Sequence, residues 1–283
     1  MIIIRIKAGI GNQLFQYALY KKFQLMGKDV AVDLHYYDIP KEKRAFRDYE
    51  LPLLGLHPRV AAENDIVRLA GTETIMNKIL RRMGGRSSYI RERDLRFQKD
   101  VLNKESVYLN GYWQSERYFE DIRETLLEEI QYPEDKKAIN ADLYKEICSS
   151  QSVCVTIRRG DYVANPRYKK KYFSCDEAYF EKGMARIREQ VKDAVFFAFS
   201  DDIAWVKENV KFPGKVFFER GDDPVYEKMR LMSACKHFII SNSSFSWWVQ
   251  YLSANPDKIV YAPRQWYPDG TKTDIYQKNW SYV

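Results

Sequence analysis

In the stretch VCVTIRRGDYVANP the apolar, β-branched residues stop at Ile157, and Arg158, Arg159, Gly160, Asp161 and Tyr162 follow at once. A guanidinium is planar and permanently charged, and its fork matches two phosphate oxygens together. Three other short stretches carry residues of related use. Asn242-Ser243-Ser244-Phe245 places small hydroxyl residues where a helix begins. A helix start presents unpaired backbone N–H groups and the positive end of its dipole to an anion. Gly9-Ile10-Gly11-Asn12-Gln13 lets a ligand approach the backbone closely, with Asn12 able to cap its helix or reach that ligand. Asp201-Asp202 supplies carboxylates that brace arginines or cap the next helix. The chemistry common to these clusters is the gripping of a diphosphate and the stabilisation of charge on it.

Each cluster stands directly after a run that reads as a buried strand. Residues 152–157, 194–200, 215–219, 237–241 and 258–263 are apolar and β-branched or aromatic, and helical spacing separates them: 176–191 with Asp176 as its cap, a short helix from Asp202, 224–235 and 244–254. The N-terminal half begins the same way, with a strand over 1–7, a glycine turn, a helix over 12–27 and a strand over 29–34. Residues 107–115 restore a strand and loop, and 116–130 reads as one helix with Phe119, Ile122, Leu126 and Ile130 on a single face. Alternation of this kind predicts α/β units with parallel sheets: two facing Rossmann-like domains, 1–145 on the acceptor side and 146–283 binding the nucleotide-sugar. In such sheets ligands bind beyond the carboxyl ends of the strands, where the four clusters lie.

The totals exclude several alternatives. The 283 residues are 45% hydrophobic and 30% charged, enough for a large core. Lys plus Arg exceed Asp plus Glu by 46 to 39, which favours anionic partners, but no basic block is long enough for a nucleic-acid arm. Four cysteines and three histidines show no metal-ligand spacing, so no metal is expected. The P-loop pattern, the GxGxxG of dinucleotide redox enzymes and the GxSxG elbow of hydrolases are all missing, and Ser200-Asp201-Asp202 and Gly221-Asp222-Asp223 are not the carboxylate-x-carboxylate element that would hold Mn²⁺. No segment approaches the roughly 18 apolar residues of a membrane span. The expected location is cytoplasmic, with peripheral contact to the inner leaflet through patches such as Arg81-Arg82 and Lys169-Lys170-Lys171.

KAGIGNQLFQYAL, GYWQSERYF, IRRGDY, FAFSDD and SNSSFSWW, in this order and spacing, resemble the motifs of glycosyltransferase family 11, the α-1,2-fucosyltransferases of bacterial surface polysaccharides and animal blood-group synthesis. The resemblance implies a GT-B arrangement with GDP-fucose as donor substrate, no cofactor, and a β-galactoside acceptor, which with no membrane span in the chain is expected to be a lipid-linked glycan. It puts Arg158 on the donor diphosphate with Arg159 beside it, and Thr156 where the family motif has histidine. Ser243, Ser244 and the backbone at Phe245 bind phosphate in the same reading, with Asn242 ahead of them and Asp201 nearby. Gly11, Asn12 and Gln13 close over the fucosyl-phosphate. The family's guanine-binding acid falls at Lys228 here, which leaves the adjacent Glu227 as its candidate.

The expected reaction is inverting transfer to a galactose 2-hydroxyl, with Arg158 and Asn12 at the reacting centre and Asp161, Asp33 or His35 as the base, unranked. Tyr112, Trp113 and Gln114 complete the acceptor side, and 40–106 with 163–175 carries acceptor selectivity. Transfer of another GDP-linked sugar or to another position is the alternative, and a non-catalytic RNA- or glycan-binding module is the alternative of a different class.

Overall fold

The computed structural model describes residues 1–40, 47–72, 74–160, 163, 166–172 and 175–283, without the side chains of residues 78, 82, 167, 168 and 171. The chain divides into two compact units, Met1–Gln131 with Lys272–Tyr276, and Tyr132–Thr271 with Gln277–Val283. The division therefore falls ahead of the expected border at 145. The reason is helix Ala141–Ser149, which buries Ile147 and belongs with the second unit.

The first unit is built on β1 (Ile2–Arg5), β2 (Val30–Asp33), β3 (Tyr89–Arg91) and β4 (Val107–Asn110), in the order β2-β1-β4-β3 and all parallel. Ile2, Ile3 and Ile4 are fully buried, each contributing on the order of 1.5–3 kcal/mol of transfer free energy. Helix α1 (Ile10–Leu25) covers the sheet with Leu14, Phe15, Leu19 and Phe23. It starts two residues earlier than its spacing predicts, with Gly9 as N-cap, so Asn12 lies in the first turn and caps nothing. Shorter helices follow: α2 (Glu63–Ala70), α3 (Ile75–Met83) and α4 (Arg123–Glu129). The single helix expected over 116–130 is two short 3₁₀ turns followed by α4. Tyr118 and Phe119 are both buried there, and their packing overrides the helical period.

The second unit opens with α5 (Ala141–Ser149) and runs β5 (Gln151–Ile157), α6 (Pro166–Tyr172), α7 (Glu177–Gln190), β6 (Ala194–Ser200), α8 (Ile203–Asn209), β7 (Val216–Phe218), α9 (Val225–Ser233), β8 (His237–Ile240), α10 (Ser244–Tyr251), β9 (Val260–Ala262) and β10 (Ser281–Tyr282). The sheet order is β10-β9-β8-β5-β6-β7, again parallel throughout. Asp176 caps α7 as expected, accepting from Tyr179 N at 2.9 Å.

Both sheets reverse direction beside their first strand. The chain moves outward from β5 to β6 and β7, then returns to β8 on the other flank of β5. It does the same around β1, with β2 on one flank and β4 on the other. Loops leaving adjacent strands at such a reversal part to opposite faces and open a crevice for a ligand. Arg158 and Ser241 leave β5 and β8. The glycine turn and Gly111 leave β1 and β4. Among the described residues no helix is long and apolar enough to cross a membrane.

Candidate functional site

At the reversal in the second unit, Asp201 organises the arginines. Its Oδ2 accepts an ion pair from Arg158 Nη1 at 2.8 Å, and its Oδ1 accepts from the backbone N–H of Arg159 at 2.8 Å. Gly160 lies so close that a Cβ on it would stand 2.5 Å from Asp201 Oδ2. Arg158 retains 24% side-chain exposure, and Asp201 holds its guanidinium at Nη1. Arg159 is placed differently. Its guanidinium lies 3.4 Å from the ring centroid of Trp205, and Nε stands 3.8 Å from Asp202 Oδ2. Asp202 also caps α8, accepting from Trp205 N at 3.3 Å. Arg159 is thus stacked and braced, and Arg158 is the arginine presented outward. Trp205 escapes sequence reasoning; the only signal was its place three residues after the cap.

Beside Arg158, α10 begins at the end of β8. Ser243 is its N-cap, extended at φ −126° and ψ 134°, and its hydroxyl makes no capping bond. Ser243, Ser244 and Phe245 are each half-buried. The first N–H groups of this helix have no intrahelical acceptor and point where an anion is stabilised. The two neighbouring residues hold the turn instead of facing a ligand. Asn242 is buried and spends both amide hydrogens, donating to Tyr172 O at 2.5 Å and Trp266 O at 2.8 Å, while its Oδ1 accepts from Cys175 Sγ at 3.7 Å. Thr156 is also buried. Its Oγ1 donates to Ser246 Oγ at 2.8 Å and accepts from Ser241 N at 3.0 Å, tying β5, β8 and α10 together.

Glu227 differs most from its expected role. It is fully buried on α9, where Arg230 donates to Oε2 at 2.7 Å and to Oε1 at 2.8 Å, and Asn140 donates to Oε1 at 2.9 Å. A carboxylate with both oxygens occupied inside the core has no face to offer guanine. Lys228 pairs with Glu219 at 2.8 Å, next to β7. Burial raises the Glu219 carboxyl above its ordinary pKa, against the pull of Lys228. His237 is a core histidine: burial lowers its pKa, and its Nδ1 accepts from Ile259 N at 3.1 Å.

The corresponding edge of the first unit is a network of cross-loop bonds. Asn12 Oδ1 accepts from Gln114 Nε2 at 2.6 Å, joining the first turn of α1 to the loop after β4 across 102 residues of sequence. Gly11 is buried under this turn. Gln13 is fully buried and serves as a latch, donating from Nε2 to Ala8 O and Asp48 O at 2.8 Å each and accepting from Glu50 N at 2.9 Å. Trp113 is likewise fully buried and anchors its loop. Ala8 (φ 66°) and Trp113 (φ 56°) both adopt the left-handed backbone region, which costs a non-glycine residue about 1–3 kcal/mol and persists where surrounding bonds enforce it. Here Glu92 accepts from the N–H groups of Tyr112 at 2.6 Å and Trp113 at 3.0 Å. Burial raises the Glu92 pKa.

Lys7 sits in the same cluster, donating to Asn110 Oδ1 at 2.8 Å and lying 4.5 Å over the Tyr112 ring. Burial pushes its pKa down to about 8, opposed by Glu92. Its only sequence signal was a lysine interrupting the apolar N-terminal run.

At the end of β2, Asp33 is buried and accepts from the Tyr108 hydroxyl and from His35 N, the latter at 2.8 Å. His35 is 47% exposed, with Nδ1 3.1 Å from Asp33 Oδ1 and Nε2 3.2 Å from Glu63 Oε2. A buried carboxylate thus orients an accessible imidazole. Asp161 lies outside the described residues. Among those described, no group of three or more His, Cys, Asp or Glu side chains is arranged to hold a metal ion.

A model of glycosyl transferase family 11 matches residues 73–283. The α-1,2-colitosyltransferase of Escherichia coli is 31% identical over 282 residues, spanning 94% of this chain and 92% of its own. The O-antigen biosynthesis glycosyltransferase WbnK of Escherichia coli is 28% identical over 302 residues, spanning 97% and 98%. Galactoside α-(1,2)-fucosyltransferase 2 of Mus musculus matches more narrowly, 29% over 131 residues, or 45% of this chain and 37% of its own. Among solved structures, the fucosyltransferase NodZ from Bradyrhizobium has a TM-score of 0.50 at 14% identity and covers 92% of this chain and 94% of its own. NodZ α-1,6-fucosyltransferase co-crystallized with GDP gives 0.51 at the same identity and coverage. At that identity the likeness is one of fold, and the α/β architecture is GT-B-like.

Proposed function

The chain belongs to glycosyl transferase family 11, and we propose that it transfers L-fucose from GDP-β-L-fucose to the 2-hydroxyl of a terminal β-galactoside in a surface glycan, with inversion and without a metal. The observation that carries the reading is Arg158, clamped by Asp201 at the end of β5 beside the uncapped start of α10. A guanidinium and a row of helix-start N–H groups on adjoining strands suit a diphosphate whose charge grows as the sugar departs.

In this mechanism the acceptor oxygen forms a bond to C1 of fucose as the bond from C1 to the β-phosphate oxygen breaks. The electron pair leaves with GDP and is stabilised by Arg158 and the first N–H groups of α10. The hydroxyl proton goes to His35 Nε2. Asp33 cannot serve directly, since it is buried and already accepts from Tyr108 and His35. Its role is to orient the imidazole, as a second group orients the base in other proton-transfer sites. Glu63 is 64% exposed and free to yield its place at Nε2 to a sugar hydroxyl. Asn12, braced by Gln114, and Tyr112 beside Lys7 belong to the acceptor side.

A second donor has a specific observation in its favour, the 31% identity to an α-1,2-colitosyltransferase over nearly the whole chain. The deciding experiment offers GDP-fucose, GDP-colitose, GDP-mannose and UDP-galactose with a panel of β-galactosides, and reads donor and linkage by NMR. Turnover of GDP-fucose to an α-1,2 linkage supports the proposal. Turnover of GDP-colitose alone moves the donor, and turnover of a UDP-sugar alone removes the reading.

A further inference from the structure

Helix α3, Ile75–Met83, turns its apolar side outward. It reads IMNKILRRM, with Thr74 capping it by accepting from Asn77 N and Gly84 ending it in the left-handed region. At 3.6 residues per turn, positions 75, 76, 79, 80 and 83 share one arc. A helix of a soluble domain ordinarily buries that arc against the core. Here Ile75 is 79% exposed, Met76 67%, Ile79 47%, Leu80 40% and Met83 79%. The other side of the helix is polar: Asn77 Nδ2 donates to Thr72 Oγ1 at 2.8 Å, and the Arg81 guanidinium lies 5.4 Å over the ring of buried Tyr89. Five of the eleven exposed large apolar side chains among the described residues are on this one helix. Concentration on one face is what separates a docking surface from ordinary scatter.

Charge identifies the occupant. Residues 75–86 include Lys78, Arg81, Arg82 and Arg86 and no acid. A short helix with an apolar arc and a basic remainder suits an anionic lipid surface. A second copy of the chain would bring the same basic residues against these. One helix about 14 Å long also falls short of the roughly 800 Å² per partner of a stable protein interface. We propose that α3 seats the protein on an anionic bilayer, its apolar arc entering the headgroup boundary and the net positive charge of residues 75–86 drawing it to lipid phosphate. This rests on α3 alone and is independent of the donor and acceptor proposed above.

The test is flotation of the full chain with phosphatidylcholine vesicles, with and without phosphatidylglycerol. The chain should float with the anionic vesicles and remain behind with the neutral ones. The triple variant Ile75→Ser, Ile79→Ser, Met83→Ser should lose at least about tenfold in vesicle affinity, with an unchanged melting curve. Flotation of the variant equal to that of the parent would overturn the proposal. So would a parent chain that ignores anionic vesicles, including one that sediments as a dimer which the variant dissolves.

Discussion

Asp201 holds Arg158 by its carboxylate at 2.8 Å and, with its other oxygen, holds the backbone N–H of the next residue at 2.8 Å. One short side chain on the loop after β6 thus aims the guanidinium that leaves β5. Arg158→Ala should lower kcat by about 10²–10³, the usual loss of a preorganised donor to developing charge. Asp201→Asn keeps the guanidinium and loosens its aim. Loss of a charged hydrogen bond of about 1.5–3 kcal/mol predicts a kcat reduced roughly 10- to 100-fold. Gly160→Ala should mimic Asp201→Asn, because the added Cβ takes the space of Oδ2. Steady-state kinetics on the three variants check the order; full activity in Gly160→Ala would separate the arginine from the carboxylate.

For His35, removal of the accessible imidazole should lower kcat about 10²-fold and leave GDP affinity, measured by calorimetry, unchanged. An unaltered kcat would pass the proton to solvent or to another group.

Glu227 should behave as a core residue. Breaking a buried pair by removing one partner costs about 3–5 kcal/mol, so Glu227→Gln is expected to unfold at distinctly lower denaturant than the parent. Where the variant is folded, its KM for the GDP-sugar should match the parent's. A raised KM with stability intact would return the residue to guanine binding.

Lys7 gives a pH signature in stability. Its pKa in the folded chain is about 8, against an ordinary 10.5, so the folded state binds this proton less tightly than the unfolded one. Below pH 8 both states carry the charge and the full cost of burying it is present. Between pH 8 and 10.5 the folded state sheds the proton first, so stability rises with pH there. The melting temperature of the parent relative to Lys7→Met should therefore climb across that window. A constant difference between the two would leave Lys7 solvated and uncoupled.

Much of the framework was local and therefore readable. β-Branched and aromatic runs marked β5, β6 and β8, and caps such as Asp176 and Asp202 marked helix starts, because both depend on a few neighbouring residues. The clusters at the strand ends followed from the same local pattern. The helix over 116–130 failed where Tyr118 and Phe119 packed inward, since a period in sequence does not state which neighbours it will meet.

Sequence alone thus determined that arginines, hydroxyls and glycines stand at the ends of parallel strands, and through its motifs the family. Only the tertiary structure decided which of them point outward. It placed β8 beside β5, so that Arg158 and the start of α10 share an edge. It turned Glu227, Gln13, Thr156 and Asn242 into internal ties, and α3 inside out. Those outcomes are set by contacts between residues far apart in the chain, such as Asn12 with Gln114, and no local propensity encodes a partner 102 residues away.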